Sequence, residues 1–360
     1  MSLRSEIVRV GLRYLIKRRE CRDVTVEQHR QFAAFCERLV PNPPPSTRTV
    51  TVNAGGPDAH LITTPHSQPD RDILFLHGGA FILGSPALYR HFTWRVAAAA
   101  RARVLAVDYR LAPEHPFPAA LEDAFAAYHW LLVNGTDPAQ LAVMGDSAGG
   151  GLIFSLMLKL RDEGRPLPAA AVALSPWTDL ALTGTSLRLN AAADPMLRAD
   201  DPPLFVPDYL NGADPRLPYV SPLYGDLAGL PPTLIHVGSD EVLYDDALRM
   251  ADRMHAAGSE VELEIWPRMP HVWHVFAPVI PEARRAIERV GAFVREKTGY
   301  EETAPLARLA PSTSPIGGIR LKAPIAAQLS SNVPENTAAP LMMAGSGVVS
   351  NANCSHTTNR

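Results

Sequence analysis

The sequence predicts an α/β protein with a mostly parallel, eight-stranded sheet covered by helices on both faces. Two observations carry this. From about Arg48 to Lys297, short apolar runs alternate with helical patterns. The chain also has 360 residues, 46% of them hydrophobic, ample for one large core.

The expected strands are Thr49–Asn53, Leu61–Thr63, Ile73–Leu76, Val104–Val107, Leu141–Met144, Ala170–Leu174, Thr233–Val237 and Val261–Ile265. Helical patterns fall near Tyr89–Ala100, Ala119–Leu132, Gly150–Arg161, Asp245–Ala257 and Pro281–Glu296. The first two strands lack a crossover helix and are expected as an antiparallel edge. At the other end, an exposed edge at Val261–Ile265 would allow two copies to pair across a two-fold axis as a homodimer.

Ahead of this domain (46–300), residues 1–45 read as two helices closed by the proline-rich run Pro41–Pro45. The second helix opens on Thr25-Val26-Glu27-Gln28, a capping-box pattern. In the first, Val8, Leu12, Leu15 and Ile16 share one face among basic residues, a stripe expected to pack on the body of the protein. Residues 180–215 break the strand–helix rhythm with prolines, aspartates and short helical pieces. An insertion after a strand's C-terminal end is placed to cover a site, so these two segments are expected to form a helical cap. Residues 301–360 contain no Phe, Tyr or Trp and are rich in Ala, Ser, Pro, Asn and Thr. They are expected to be a disordered tail, or one added artefactually.

A net charge of −3 gives nucleic acid no electrostatic footprint. Cys21, Cys36 and Cys354 are odd in number and widely spaced, which argues against a disulfide framework or a structural zinc site and for a reducing, cytoplasmic setting. No run reaches the ~18 apolar residues of a membrane span, so no integral membrane association is expected.

The chemistry starts at Gly145-Asp146-Ser147-Ala148-Gly149, between the strand Leu141–Met144 and a helix. A tight strand–turn–helix elbow exposes a serine hydroxyl, and glycines on either side remove Cβ atoms that would clash across it. At ordinary glycine and serine usage this pentapeptide arises by chance too often to decide alone. His77-Gly78-Gly79-Ala80-Phe81 follows the strand Ile73–Leu76, where small residues let backbone N–H groups approach a developing oxyanion. After Thr233–Val237 comes Gly238-Ser239-Asp240-Glu241, which makes Asp240 the expected acid, with Glu241 its nearest competitor; Asp245 and Asp246 are expected on a solvated helix face. After Val261–Ile265, the loop to Pro270-His271-Val272-Trp273-His274 offers His271 as base and His274 as the weaker choice among twelve histidines.

The order Ser147, Asp240, His271 is that of the α/β-hydrolase fold. Over roughly residues 30–298 the chain resembles the bacterial hormone-sensitive-lipase-like carboxylesterases (family IV), in their G-D-S-A-G branch. The resemblance also rests on Asp108-Tyr109-Arg110-Leu111-Ala112-Pro113-Glu114-His115 and Ser175-Pro176-Trp177-Thr178-Asp179. It implies Ser147 as nucleophile, His271 as base, Asp240 as orienting acid, and the N–H groups of Gly79, Ala80 and Ala148 as the oxyanion hole. It makes residues 108–115 a structural clasp. Ala80 stands where many members carry a third glycine, and Val272-Trp273 where Gly-Phe is frequent. The implied activity is hydrolysis of short-to-medium acyl esters of small molecules through an acyl-enzyme, with neither metal nor organic cofactor. A lactone hydrolase would use the same machinery, and a ligand-binding pseudoenzyme would have lost the histidine. Phe81, Phe205, Tyr209 and Leu210 are candidates to line the pocket or to fill the core.

Overall fold

The computed structural model describes residues 1–17, 24–299 and 319–321. Strands β1 (Arg48–Asn53), β2 (Asp58–Thr63), β3 (Asp72–Leu76), β4 (Arg103–Val107), β5 (Leu141–Asp146), β6 (Ala170–Leu174), β7 (Thr233–Gly238) and β8 (Val261–Trp266) match the eight expected runs, each within three residues. They lie in the order β1-β2-β4-β3-β5-β6-β7-β8. Pairing is parallel from β4 to β8, and β1 and β2 form the antiparallel edge.

The central strands are buried on both faces, so their side chains alternate between two separate cores. Leu141 and Val143 of β5 point into one and Ala142 and Met144 into the other. The first core is completed by α4 (Ala119–Val133), α5 (Ser147–Asp162) and α8 (Tyr244–Ala256) through residues such as Tyr128, Leu156 and Met250. The second is closed by α3 (Arg90–Ala100) and α9 (Pro281–Lys297), which bring Phe92, Val96, Val290 and Phe293 together.

At the β8 edge, residues 319–321 form a short antiparallel strand, β9, so the edge expected to be open for a second copy is occupied. These three residues depart from the expected disorder of 301–360; the rest of that tail lies outside the described residues.

The N-terminal segment forms α1 (Leu3–Leu12), a π-helical turn over Arg13–Lys17, and α2 (Val26–Leu39). Thr25 and Gln28 make both reciprocal hydrogen bonds of the capping box. In α1, Leu12 is buried and Val8 packs on the second core. Leu15 is 71% exposed. The wider π turn takes it off the stripe that a regular helix would keep aligned. The fixed contacts of α1 are polar: Ser2 and Ser5 bond the Glu282 carboxylate of α9, and buried Arg9 reaches the Arg268 carbonyl at 2.6 Å. The insertion contributes α6 (Ser186–Leu189) and α7 (Asp201–Leu210). No helix among the described residues is long and apolar enough to cross a membrane.

Candidate active site

The turn from β5 into α5 is dictated by contact with neighbouring backbone. A Cβ on Gly149 would overlap the carbonyl oxygens of Leu76 and His77, and one on Gly145 the carbonyl of Gly149. Only glycine fits at either place. Ser147 between them is held at φ 53°, a left-handed conformation that a non-glycine residue adopts only when its surroundings impose it. The Trp177 N–H fixes this turn by donating to the Ser147 carbonyl at 2.9 Å.

His271 Nε2 lies 2.9 Å from Ser147 Oγ, and His271 Nδ1 lies 2.7 Å from Glu241 Oε2. The sequence-based choice of acid is therefore corrected: the carboxylate on the imidazole is Glu241. Asp240 points the other way, accepting from Arg9 at 2.8 Å and from the Ser239 hydroxyl at 2.8 Å. After β7 the chain turns back with the Glu241 N–H on the Gly238 carbonyl, so consecutive side chains leave on opposite sides. Glu241 is fully buried. Its Oε1 accepts from the Gly238 N–H at 2.6 Å and the Ser175 hydroxyl at 2.8 Å. That Ser175 oxygen in turn accepts from the Val272 N–H at 3.2 Å. Val272 sits at φ 49°, costly for a β-branched residue, which explains why glycine is frequent there in the family the sequence resembles.

Burial lowers the pKa of His271, but the hydrogen bond and charge of Glu241 outweigh it, with Asp194 and Asp146 adding, and the imidazole is raised above its ordinary 6.5. Glu241 is itself raised, by burial. His274 is not part of this group. It is buried with Nε2 against His236 Nδ1 at 3.0 Å, and burial drives its pKa well down.

The loop after β3 reaches the elbow through Asp146. Its Oδ1 accepts from the Gly78 N–H at 3.0 Å and its Oδ2 from the Tyr89 hydroxyl at 2.8 Å, while burial pushes its pKa up to about 7. Gly79, Ala80 and Phe81 follow with φ of 119°, 53° and 64°. This run of left-handed residues turns the Gly79 and Ala80 N–H groups away from the chain's own acceptors, and neither makes a hydrogen bond among the described residues. Ala148 lies in the first turn of α5, where helical N–H groups have no intrahelical partner. His77 is structural: it stacks on Tyr109 at 4.2 Å, and burial lowers its pKa to about 4.

The run 108–115 braces this loop. Ala112 donates to the Phe81 carbonyl, and Arg110 grips Asp123. Arg30 of α2 bonds the carbonyls of Ile82 and Ala112 and both oxygens of Glu114. Asp246 is not on a solvated face as expected. It is buried and accepts from the Thr178 and Asp179 N–H groups, tying α8 to the loop after β6. Asp245, by contrast, holds Thr185 and Ser186 at the start of α6.

A cavity of about 330 Å³ opens over Ser147 and His271. Gly79 and Ala80 form part of its floor, and Ile16, His29, Met196 and Phe205 contribute to its walls. Of the four aromatic and aliphatic candidates, Phe205 lines it. Phe81 and Tyr209 instead stack on each other at 3.8 Å in the core, where Leu210 also lies.

A family profile described as alpha/beta hydrolase fold matches residues 73–275. The chain is 49% identical to an acetyl-hydrolase of Streptomyces hygroscopicus over 256 residues, covering 69% of this chain and 86% of that protein. It is 34% identical to the carboxylesterase/phospholipase LipF of Mycobacterium tuberculosis, with 74% of each chain covered. Among solved structures, an esterase from the bacterial hormone-sensitive lipase family superposes with a TM-score of 0.79 at 42% identity, covering 83% of this chain and 99% of that one.

Proposed function

The chain belongs to the bacterial hormone-sensitive-lipase-like esterases of the α/β-hydrolase superfamily and is a carboxylic ester hydrolase; on that premise we propose that Ser147, His271 and Glu241 are its catalytic groups. The observation that carries this is the continuous line from Ser147 Oγ through both ring nitrogens of His271 to Glu241 Oε2.

His271 Nε2 takes the Ser147 proton as Oγ attacks the ester carbonyl. The oxyanion of the tetrahedral intermediate is met by the N–H groups of Gly79, Ala80 and Ala148, each worth about 3 kcal/mol in an aligned hole. The intermediate collapses, His271 returns the proton to the departing alcohol, and water repeats the sequence on the acyl-enzyme to release the acid. Glu241 fixes the tautomer with Nδ1–H toward itself and stabilises the imidazolium while it exists. Residues 1–45 and 180–215 act as a cap. In support, Ile16, His29, Met196 and Phe205 bound the cavity, and Arg13 and Lys17 donate to carbonyls between 191 and 194.

A cavity of about 330 Å³ suits short-to-medium acyl chains, as does the kinship with a protein named acetyl-hydrolase. The odd number and wide spacing of Cys21, Cys36 and Cys354 support a cytoplasmic setting. The test is a p-nitrophenyl ester series from acetate to palmitate, with a lactone panel beside it, on wild type and Ser147→Ala. Turnover concentrated at C2 to C6 and abolished in the variant is expected. Wild-type rates in Ser147→Ala would sink the assignment.

A further inference from the structure

Helix α1 carries two apolar stripes, and the body of the protein uses one of them. Val8 and Leu12 turn inward beside the buried Ser5 and Arg9. Leu3, Ile7 and Val10, spaced three or four residues apart, share the opposite face, and Tyr14 continues the spacing. All four are more than half exposed. Among the described residues, nine of the fifteen exposed large apolar side chains lie in residues 1–39, Phe35 and Leu39 of α2 included. Single exposed apolar residues are ordinary on a protein surface, but such a concentration marks a surface that meets a partner.

Charge decides which partner fits. Arg4 and Arg13 are exposed and flank the stripe, one on each side. Glu6, the one acid in residues 1–17, is paired with Arg268 at 3.0 Å, and buried Arg9 is paired with Asp240. Arg13 donates to the Ala192 and Ala193 carbonyls, which carry no charge to balance its own. Lys17, Arg18 and Arg19 follow, in a chain whose net charge is −3. A second copy would set these cations against their own images, and like charges across an interface oppose association. An anionic lipid surface attracts them, and its acyl chains take up the apolar stripe.

We propose that α1 is an interfacial anchor that lies in the plane of an anionic bilayer. Leu3, Ile7, Val10 and Tyr14 enter among the acyl chains, and Arg4 and Arg13 stay among the headgroups. The other face of the helix holds the body throughout, through Glu282 on Ser2 and Ser5 and the Arg268 carbonyl on Arg9, so docking breaks no contact. Ile16 and Lys17, at the end of the same segment, line the cavity over Ser147. The anchor thereby sets that cavity close to the lipid surface.

The test is flotation of the full chain with two kinds of vesicle, phosphatidylcholine alone and phosphatidylcholine mixed with phosphatidylglycerol at roughly 2:1. Partition into the mixed vesicles is expected to be at least about tenfold the stronger, and to fall severalfold in about 0.5 M salt. The double variant Ile7→Gln, Val10→Gln removes apolar surface without changing charge and should lower that partition at least about tenfold. Both side chains are exposed, so its Tm should stay within about 2 °C of wild type and exclude unfolding as the cause. Arg4→Gln keeps the stripe and should lower partition about fivefold. No flotation with either vesicle, equal partition into both, or unaltered partition in the double variant would overturn the anchor. So would a wild-type dimer in sedimentation velocity that the double variant converts to monomer, because a second copy then covers the stripe. None of these readouts uses ester hydrolysis, so their failure leaves the esterase reading standing.

Discussion

Two turns at the same edge of the sheet carry the proposed nucleophile Ser147 and its proposed acid Glu241, and they are specified in opposite ways. The turn after β5 is set by local sterics: Gly145 and Gly149 allow backbones to meet where a Cβ would overlap carbonyl oxygens, and Ser147 is forced left-handed between them. The turn after β7 is set by distant partners. Arg9, 231 positions away, takes Asp240, while Ser175 and His271 take Glu241. Steric coding can be read from five residues. Competition for a carboxylate cannot, because the competitors lie far apart in sequence.

This contrast is open to experiment, beginning where the effect should be greatest. Per folded molecule, His271→Ala should lower kcat/KM by about 10⁶-fold, as loss of the base does in other serine hydrolases. His274→Ala, three residues on, should stay within about tenfold. Comparable losses would mean that the base has been misassigned.

For the steric turn, Gly149→Ala should cost more than about 4 kcal/mol in urea unfolding, because the overlapped atoms are main-chain carbonyls that no rotamer change can relieve. At the other turn, Ser239→Ala loses the hydroxyl between Asp240 and the Arg268 N–H and should cost only about 1 kcal/mol. Similar values would erase the distinction.

Ser175→Ala removes a buried donor to Glu241 and an acceptor for the Val272 N–H. A hydrogen bond to a charged group is worth about 1.5–3 kcal/mol, so kcat/KM should fall by about ten- to a hundredfold.

The smallest expected effect is on pH dependence. His271 must be neutral to accept the serine proton, and its pKa is raised above 6.5, chiefly because Glu241 outweighs burial. The acidic limb of kcat/KM should therefore have its midpoint above 6.5, with activity lost as pH falls through it. In Glu241→Gln the residual activity should show that limb moved to lower pH. An unmoved limb would detach Glu241 from the imidazole.

The sequence made the sheet legible because fully buried strands appear as apolar runs wherever they pair. It made Ser147, His271 and the Gly79–Ala80 loop legible because each lies in the turn or loop that follows such a run. It missed Glu241 by one residue: which of two adjacent carboxylates faces inward depends on turn dihedrals and on Arg9. It also missed the burial of Asp246, whose role is to bond N–H groups 67 and 68 residues away. Strand β9 was hidden because three residues in a tail without aromatic side chains carry too little pattern to stand out.

The central claim is that Glu241, not Asp240, serves His271. The most direct measurement is kcat/KM for p-nitrophenyl butyrate in Glu241→Gln and Asp240→Asn, purified side by side and assayed at one pH. A loss of about 10⁴-fold in Glu241→Gln is expected, by analogy with the serine-protease aspartate. Asp240→Asn, which breaks only the tie to Arg9, should remain within about fivefold of wild type. The reverse ranking, or equal losses in the two variants, would contradict it.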